Sequence, residues 1–145
     1  MKDSLTQLFK RDLTRLKKEL NEFKSPELIW ITPEEIANSS GHLVLHLCGN
    51  LRHFIGKTLG EAEYIRDRHA EFNSSPIPLS ALEKLIDDSA EEIEKALSEI
   101  SPSDIQKTYP IEVFGNPMST EYFLIHLHGH LTYHLGQITY LRRVL

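Results

Sequence analysis

The run HLHGHLTYHLGQITYLRR, His126 to Arg143, puts a histidine at 126, 130 and 134. On an α-helix a step of four residues turns a side chain by only about 40°, so the three imidazoles share one stripe. Neutral imidazole is a common ligand for transition metals, and two histidines one helical turn apart can grip one ion. A single helix does not complete such a site. A second segment, HLVLHLCGNLRH from His42 to His53, offers the missing face: His42, His46 and His53 again fall within about 40° of one another on a helical wheel.

The remaining chain supplies helices to carry these two stripes. Leu5, Leu8, Phe9, Leu13, Leu16, Leu20 and Phe23 repeat at helical spacing and predict a first amphipathic helix over 3–23, stopped by Ser25-Pro26. Thr32-Pro33-Glu34-Glu35 reads as a helix start, so a short helical turn is expected after Trp30. The second helix is expected from Gly41 to Leu59, capped by Ser39 or Ser40 and ended by Gly60. Residues 60–78 read as a long charged connection ending in Asn73-Ser74-Ser75-Pro76 and Pro78. Leu82, Leu85, Ile86, Ala90, Ile93 and Leu97 place a third helix over Ser80 to Glu99. Tyr109, Ile111, Val113 and Phe114 predict an extended segment or small hairpin before the turn at Gly115-Asn116-Pro117. The last helix begins at Thr120 and runs to the C-terminus, with Glu121 in its first turn and Arg142 and Arg143 in its last, both favourable to the helix dipole. Four long helices without strands imply an all-α fold, a four-helix bundle forming a single domain over residues 1–145.

Composition narrows the class further. With 145 residues, 40% apolar and 26% charged, the chain can bury a core without disulfides, and its lone cysteine, Cys48, forms none internally. A net charge of −5 argues against nucleic acid as a partner. No apolar run approaches a bilayer span, and MKDSLTQLFKRDLTRL lacks the apolar core of a signal peptide, so the cytoplasm is the default address.

Bundles build metal sites in their interior from side chains on facing helices. The spacing asks for one histidine of the second helix and an i, i+4 pair of the fourth. Three neutral nitrogen ligands leave a position for water or substrate, as catalytic centres do. The same HxxxH spacing also arises as surface decoration, which keeps an unliganded helical interaction domain in play.

His130-x3-His134 followed by Leu135-Gly136-Gln137-Ile138 resembles the HxxxH-x-GQ signature near the C-terminus of DinB-like proteins, the DinB/YfiT superfamily. GHLVLHLCGNLRHFIG over 41–56 is similar to the second-helix segment of those families, and RDRHAEF at 66–72 and FGNPMST at 114–120 fit a DinB-like subgroup. The resemblance covers roughly residues 39–145. It implies His46, His130 and His134 as metal ligands, with His126 an alternate or supporting group and His42 and His53 ranked behind His46. Relatives carry Arg or Thr where this chain has Leu135, a position expected to face outward.

Superfamily members of known activity are thiol-dependent S-transferases and an isomerase that uses a low-molecular-weight thiol. The resemblance therefore implies a divalent transition metal (nickel, zinc or iron) that activates a thiol or water, with a low-molecular-weight thiol and a small-molecule substrate as partners. A non-enzymatic metal-binding or stress-response protein is the alternative. Gln137 fits a hydrogen-bond partner for a ligating ring. Asn50 either orients substrate or bonds backbone. Arg66, Asp67, Arg68 and Glu71 either line the mouth of the site or belong to a solvated loop. Glu61, Glu63 and Glu71 are candidate bases by loop position alone. Gly129 and Gly136 suggest close helix packing, and Cys48 a small buried residue. Tyr133, Tyr140 and Leu145 suggest a further buried face, and the expectation is a homodimer.

Overall fold

Serine and aspartate side chains set the helix starts. Ser39 accepts a hydrogen bond from the His42 amide, Asp67 from Ala70 and Ser119 from Tyr122, each satisfying an otherwise orphaned first-turn donor. The computed structural model describes residues 1–145, and it is all-helical. Five α-helices appear: α1 (Lys2–Asn21), α2 (Ser40–Leu51), α3 (Arg68–Asn73), α4 (Leu79–Glu99) and α5 (Thr120–Val144). No helix is long and apolar enough to cross a membrane.

The four long helices pack pairwise, α1 against α4 and α5 and α2 against the same two, an arrangement compatible with the expected bundle. Leu13, Leu16 and Leu20 of α1 meet Leu82, Ile86 and Ile93 of α4 and Leu131 and Ile138 of α5 in one continuous core of 27 buried apolar residues. Each such side chain contributes on the order of 1.5–3 kcal/mol through burial. Leu135 belongs to this core at 4% exposure. The outward orientation expected for it is wrong, because Leu124, Leu127, Leu131, Leu135 and Ile138 form the stripe that α5 turns inward.

Other local departures have physical causes. The second helix does not run evenly to Leu59. After Leu51 it widens into a π-helical stretch, Arg52–Lys57, with Thr58 and Gly60 amides reaching back five residues to the His53 and Ile55 carbonyls. The Tyr109 hydroxyl donates to the Phe54 carbonyl at 2.7 Å, and the Thr58 hydroxyl donates to that of His53 at 2.8 Å. Near Trp30 the helical turn comes earlier than expected, as a 3-10 turn over Pro26–Trp30. Thr32–Glu35 starts no helix, since the Ile36 amide closes a tight turn on the Pro33 carbonyl with Glu35 at φ 65°. Trp30 lies flat against Gly41, where a Cβ would come within 2.5 Å of its ring. The region before α5 contains a short 3-10 turn, Asp104–Gln106, and a single bridge, Thr108 to Ser119, in place of a hairpin. At Gly129 and Gly136 a Cβ would meet nothing within 4 Å. Close packing is therefore not the reason for either glycine.

Candidate metal centre

α2 and α5 face each other across the core, and His46, His130 and His134 come together where they do. His46 is 7% exposed and the other two are half-buried. His130 Nε2 lies 3.1 Å from His46 Nε2 and 3.1 Å from His134 Nε2. The rings stand nearly perpendicular, at 78°, 89° and 87°, so their edges converge.

This convergence is hard to satisfy with protons alone. The Nε2 of a neutral imidazole carries one hydrogen or one lone pair, not both. His130 Nε2 can complete one hydrogen bond, and its second close approach then sets like against like. Three lone pairs around a shared cation satisfy all three nitrogens; two of the separations are close to the roughly 3.3 Å between ligand atoms on a tetrahedral ion with ordinary zinc–nitrogen bonds, and all three ligand atoms lie within 4.8 Å of one another. The donor set therefore fits a transition metal.

Electrostatics keep the lone pairs available. Burial, and then the neighbouring His134 and His46, push the His130 ring down to about 4, and burial also lowers His134. At neutral pH both rings are free bases, as ligation requires.

Surrounding residues orient the rings. The His134 Nδ1–H donates to Gln137 Oε1 at 2.7 Å, which leaves the Nε2 lone pair pointing inward and matches the role expected of Gln137. Behind His46 stands Glu71, 5% exposed, held by Arg66 Nε at 2.9 Å. Its Oε1 lies 3.8 Å from His46 Nδ1, too far for a direct bond but near enough to act through charge. Burial pushes the Glu71 carboxyl up, yet the facing His46 ring and the Arg66 guanidinium outweigh that and hold it below the usual glutamate range. α3, capped by Asp67, delivers this carboxylate to the interior, so residues 66–71 are not simply a solvated loop.

Gly49 makes room for it. A Cβ at 49 would lie 2.5 Å from Glu71 Oε1. Gly49→Ala is therefore expected to displace Glu71 from His46 and to weaken metal affinity roughly 10- to 100-fold, the usual effect of losing a residue that supports a ligand. Titration of the metal-free variant with Zn²⁺ against a chromogenic chelator checks this, and unchanged affinity would show that Glu71 does not position His46.

The other histidines are placed apart from the group. His42 bonds Ser39 Oγ at 2.9 Å and the Ser74 carbonyl at 3.0 Å. His53 falls within the π-helical stretch and packs edge-on against Phe54. His126 is exposed and stacks on Phe123. Glu61 and Glu63 are exposed and line neither neighbouring cleft. Sequence reading passed over His128, which bonds the buried Asp12 at 2.8 Å and ties α5 to α1.

Two clefts flank the histidines. One, of about 440 Å³, is lined by His46 and His130 with Asn50, Arg66, Arg68 and Phe114. The other, of about 520 Å³, opens on His134 and Gln137 beside Ile36, Leu43, Tyr133 and Tyr140. Tyr133 and Tyr140 are 65% and 71% exposed and pack into no core of their own chain.

No curated protein matches the chain. A family model described as "Protein of unknown function (DUF1572)" matches residues 2–145, nearly the whole length, and the chain belongs to that family.

Proposed function

We propose that this chain is a DinB-like metalloprotein in which His46, His130 and His134 ligate one divalent transition metal, and that the centre serves thiol S-transfer or hydrolysis. The observation that carries the proposal is the approach of two imidazole Nε2 atoms to within 3.1 Å of a third beside an open cleft. The same reading takes the four long helices as the superfamily's four-helix bundle in one domain and the exposed Tyr133–Tyr140 face as a homodimer contact.

A metal held there supplies a Lewis-acidic position that lowers the pKa of a thiol or water. The chain's own residues do the rest. Gln137 fixes the His134 tautomer, and the Glu71–Arg66 pair backs His46. No carboxylate lines the cleft beside His46 and His130. The proton lost by the nucleophile therefore passes to solvent or to His126 at the lip. In S-transfer the thiol sulfur forms the new S–C bond, and the leaving group departs with its electron pair.

Metal analysis of untagged protein by inductively coupled plasma mass spectrometry should find about one transition-metal equivalent per chain, as one three-histidine site requires. The loaded protein should also accelerate alkylation of cysteine by monobromobimane, or hydrolysis of an activated ester, and chelation should abolish the acceleration. Metal binding without either rate effect would leave a non-enzymatic metal-binding protein. Failure to bind metal even after reconstitution would remove the proposal altogether.

A further inference from the structure

The cleft beside His46 and His130 carries a charge and a polar vacancy that the histidine group does not use. Arg66 is neutralised by Glu71. Arg68, exposed at the same cleft, has no ion-pair partner; its guanidinium only lies 5.9 Å from the centre of the Phe72 ring. Of the two guanidinium groups lining the cleft, Arg68 is therefore the one without a carboxylate partner.

Asn50 lines the same space. It is 8% exposed, and its Oδ1 is buried without a hydrogen-bond partner. Buried amide oxygens are rarely left unpaired, because the lost hydration is not repaid. The same cleft is lined by Phe54, Val113 and Phe114, the last two 36% and 48% exposed. The volume of about 440 Å³ suits a small molecule.

We propose that this cleft binds a small organic anion with an apolar, ring-sized body, its negative group held by Arg68 and a polar group of its own hydrogen-bonded to the Asn50 side-chain amide. This rests on reading the cleft as the place where a substrate reaches the three-histidine centre, on the side of His46 and His130. It adds the substrate's charge class, which the metal ligands leave open.

The test compares 4-hydroxyphenylacetate with its neutral amide, 4-hydroxyphenylacetamide, by isothermal titration calorimetry on the full chain. Each measurement is made metal-loaded and again after chelation. A charge-assisted contact predicts about tenfold tighter binding of the acid, falling to about twofold or less in Arg68→Gln, whose exposed position leaves the fold intact. Asn50→Leu, which removes the side-chain amide, should weaken the acid severalfold while circular dichroism stays native. Equal affinity for acid and amide would overturn the inference, and so would a preference that Arg68→Gln leaves unchanged. Chelation separates the two readings. A preference that persists in a protein shown to bind no metal would remove the metal reading and leave the anion site standing. A metal-replete protein without the preference would do the reverse.

Discussion

Replacing His130 with alanine is expected to lower metal affinity by well over 100-fold, beyond the range seen when only a supporting residue is lost. His130 is the shared vertex of the group: its Nε2 lies 3.1 Å from both other nitrogens, whereas the His46 and His134 rings meet edge to face at 5.3 Å without a nitrogen contact of hydrogen-bond length. Without it, one nitrogen from α2 and one from α5 remain, and two monodentate imidazoles bind weakly. The fold should persist, because the ring is half-buried at the edge of a cleft and its Nδ1 has no partner to lose. His42→Ala is the matched control, since that ring serves Ser39 and Ser74 and should leave metal content at the native level. Metal content per chain, measured alongside far-ultraviolet circular dichroism, reads both. Full metal retention in His130→Ala with native helicity would show that the three rings do not ligate together.

The i, i+4 pair on α5 was open to sequence reading because it depends only on helical period, and His130 and His134 do share an edge. Choosing His46 over His42 and His53 was not open to period alone. His53 lies in a π-helical stretch that apolar spacing does not reveal, and His42 is claimed by a serine cap and a carbonyl from a distant turn. The resemblance to DinB-like sequences supplied what periodicity lacked. Glu71 was a candidate by loop position alone, and its burial behind His46 was hidden for a different reason. Its six-residue helix sits in a charged segment, and its burial depends on three things far apart in sequence: Gly49, Arg66 and His46. Leu135 was misplaced although the signal was present, since it continues the spacing of Leu124, Leu127 and Leu131.

The same kind of signal marked Asp12 and His128. Asp12 lies three residues after Phe9 and four before Leu16, on the stripe that α1 buries, and it is 1% exposed. His128 donates to its Oδ2 at 2.8 Å, and Arg11 spans both carboxylate oxygens at 2.8 and 3.0 Å. Burial pushes the Asp12 carboxyl up, but the hydrogen bonds and charges of Arg11 and His128 outweigh it, and the folded group titrates below its ordinary value of 3.8. Asp12→Ala is expected to destabilise the fold by about 2–3 kcal/mol, measured by urea unfolding of the metal-free protein. A fully buried ion pair that loses one partner costs about 3–5 kcal/mol. Here the cost is smaller, because Arg11 is exposed enough to return to water. The pH dependence follows from the direction of the shift. A depressed carboxyl contributes stability that is fully present above its unfolded value and is lost as pH falls through the lower folded value. Asp12→Asn, which keeps the volume and removes the titration, should lower stability at pH 7 and flatten its decline below pH 4. An acid limb as steep as that of the native protein would show that the α1–α5 tie is carried by packing and not by this charge.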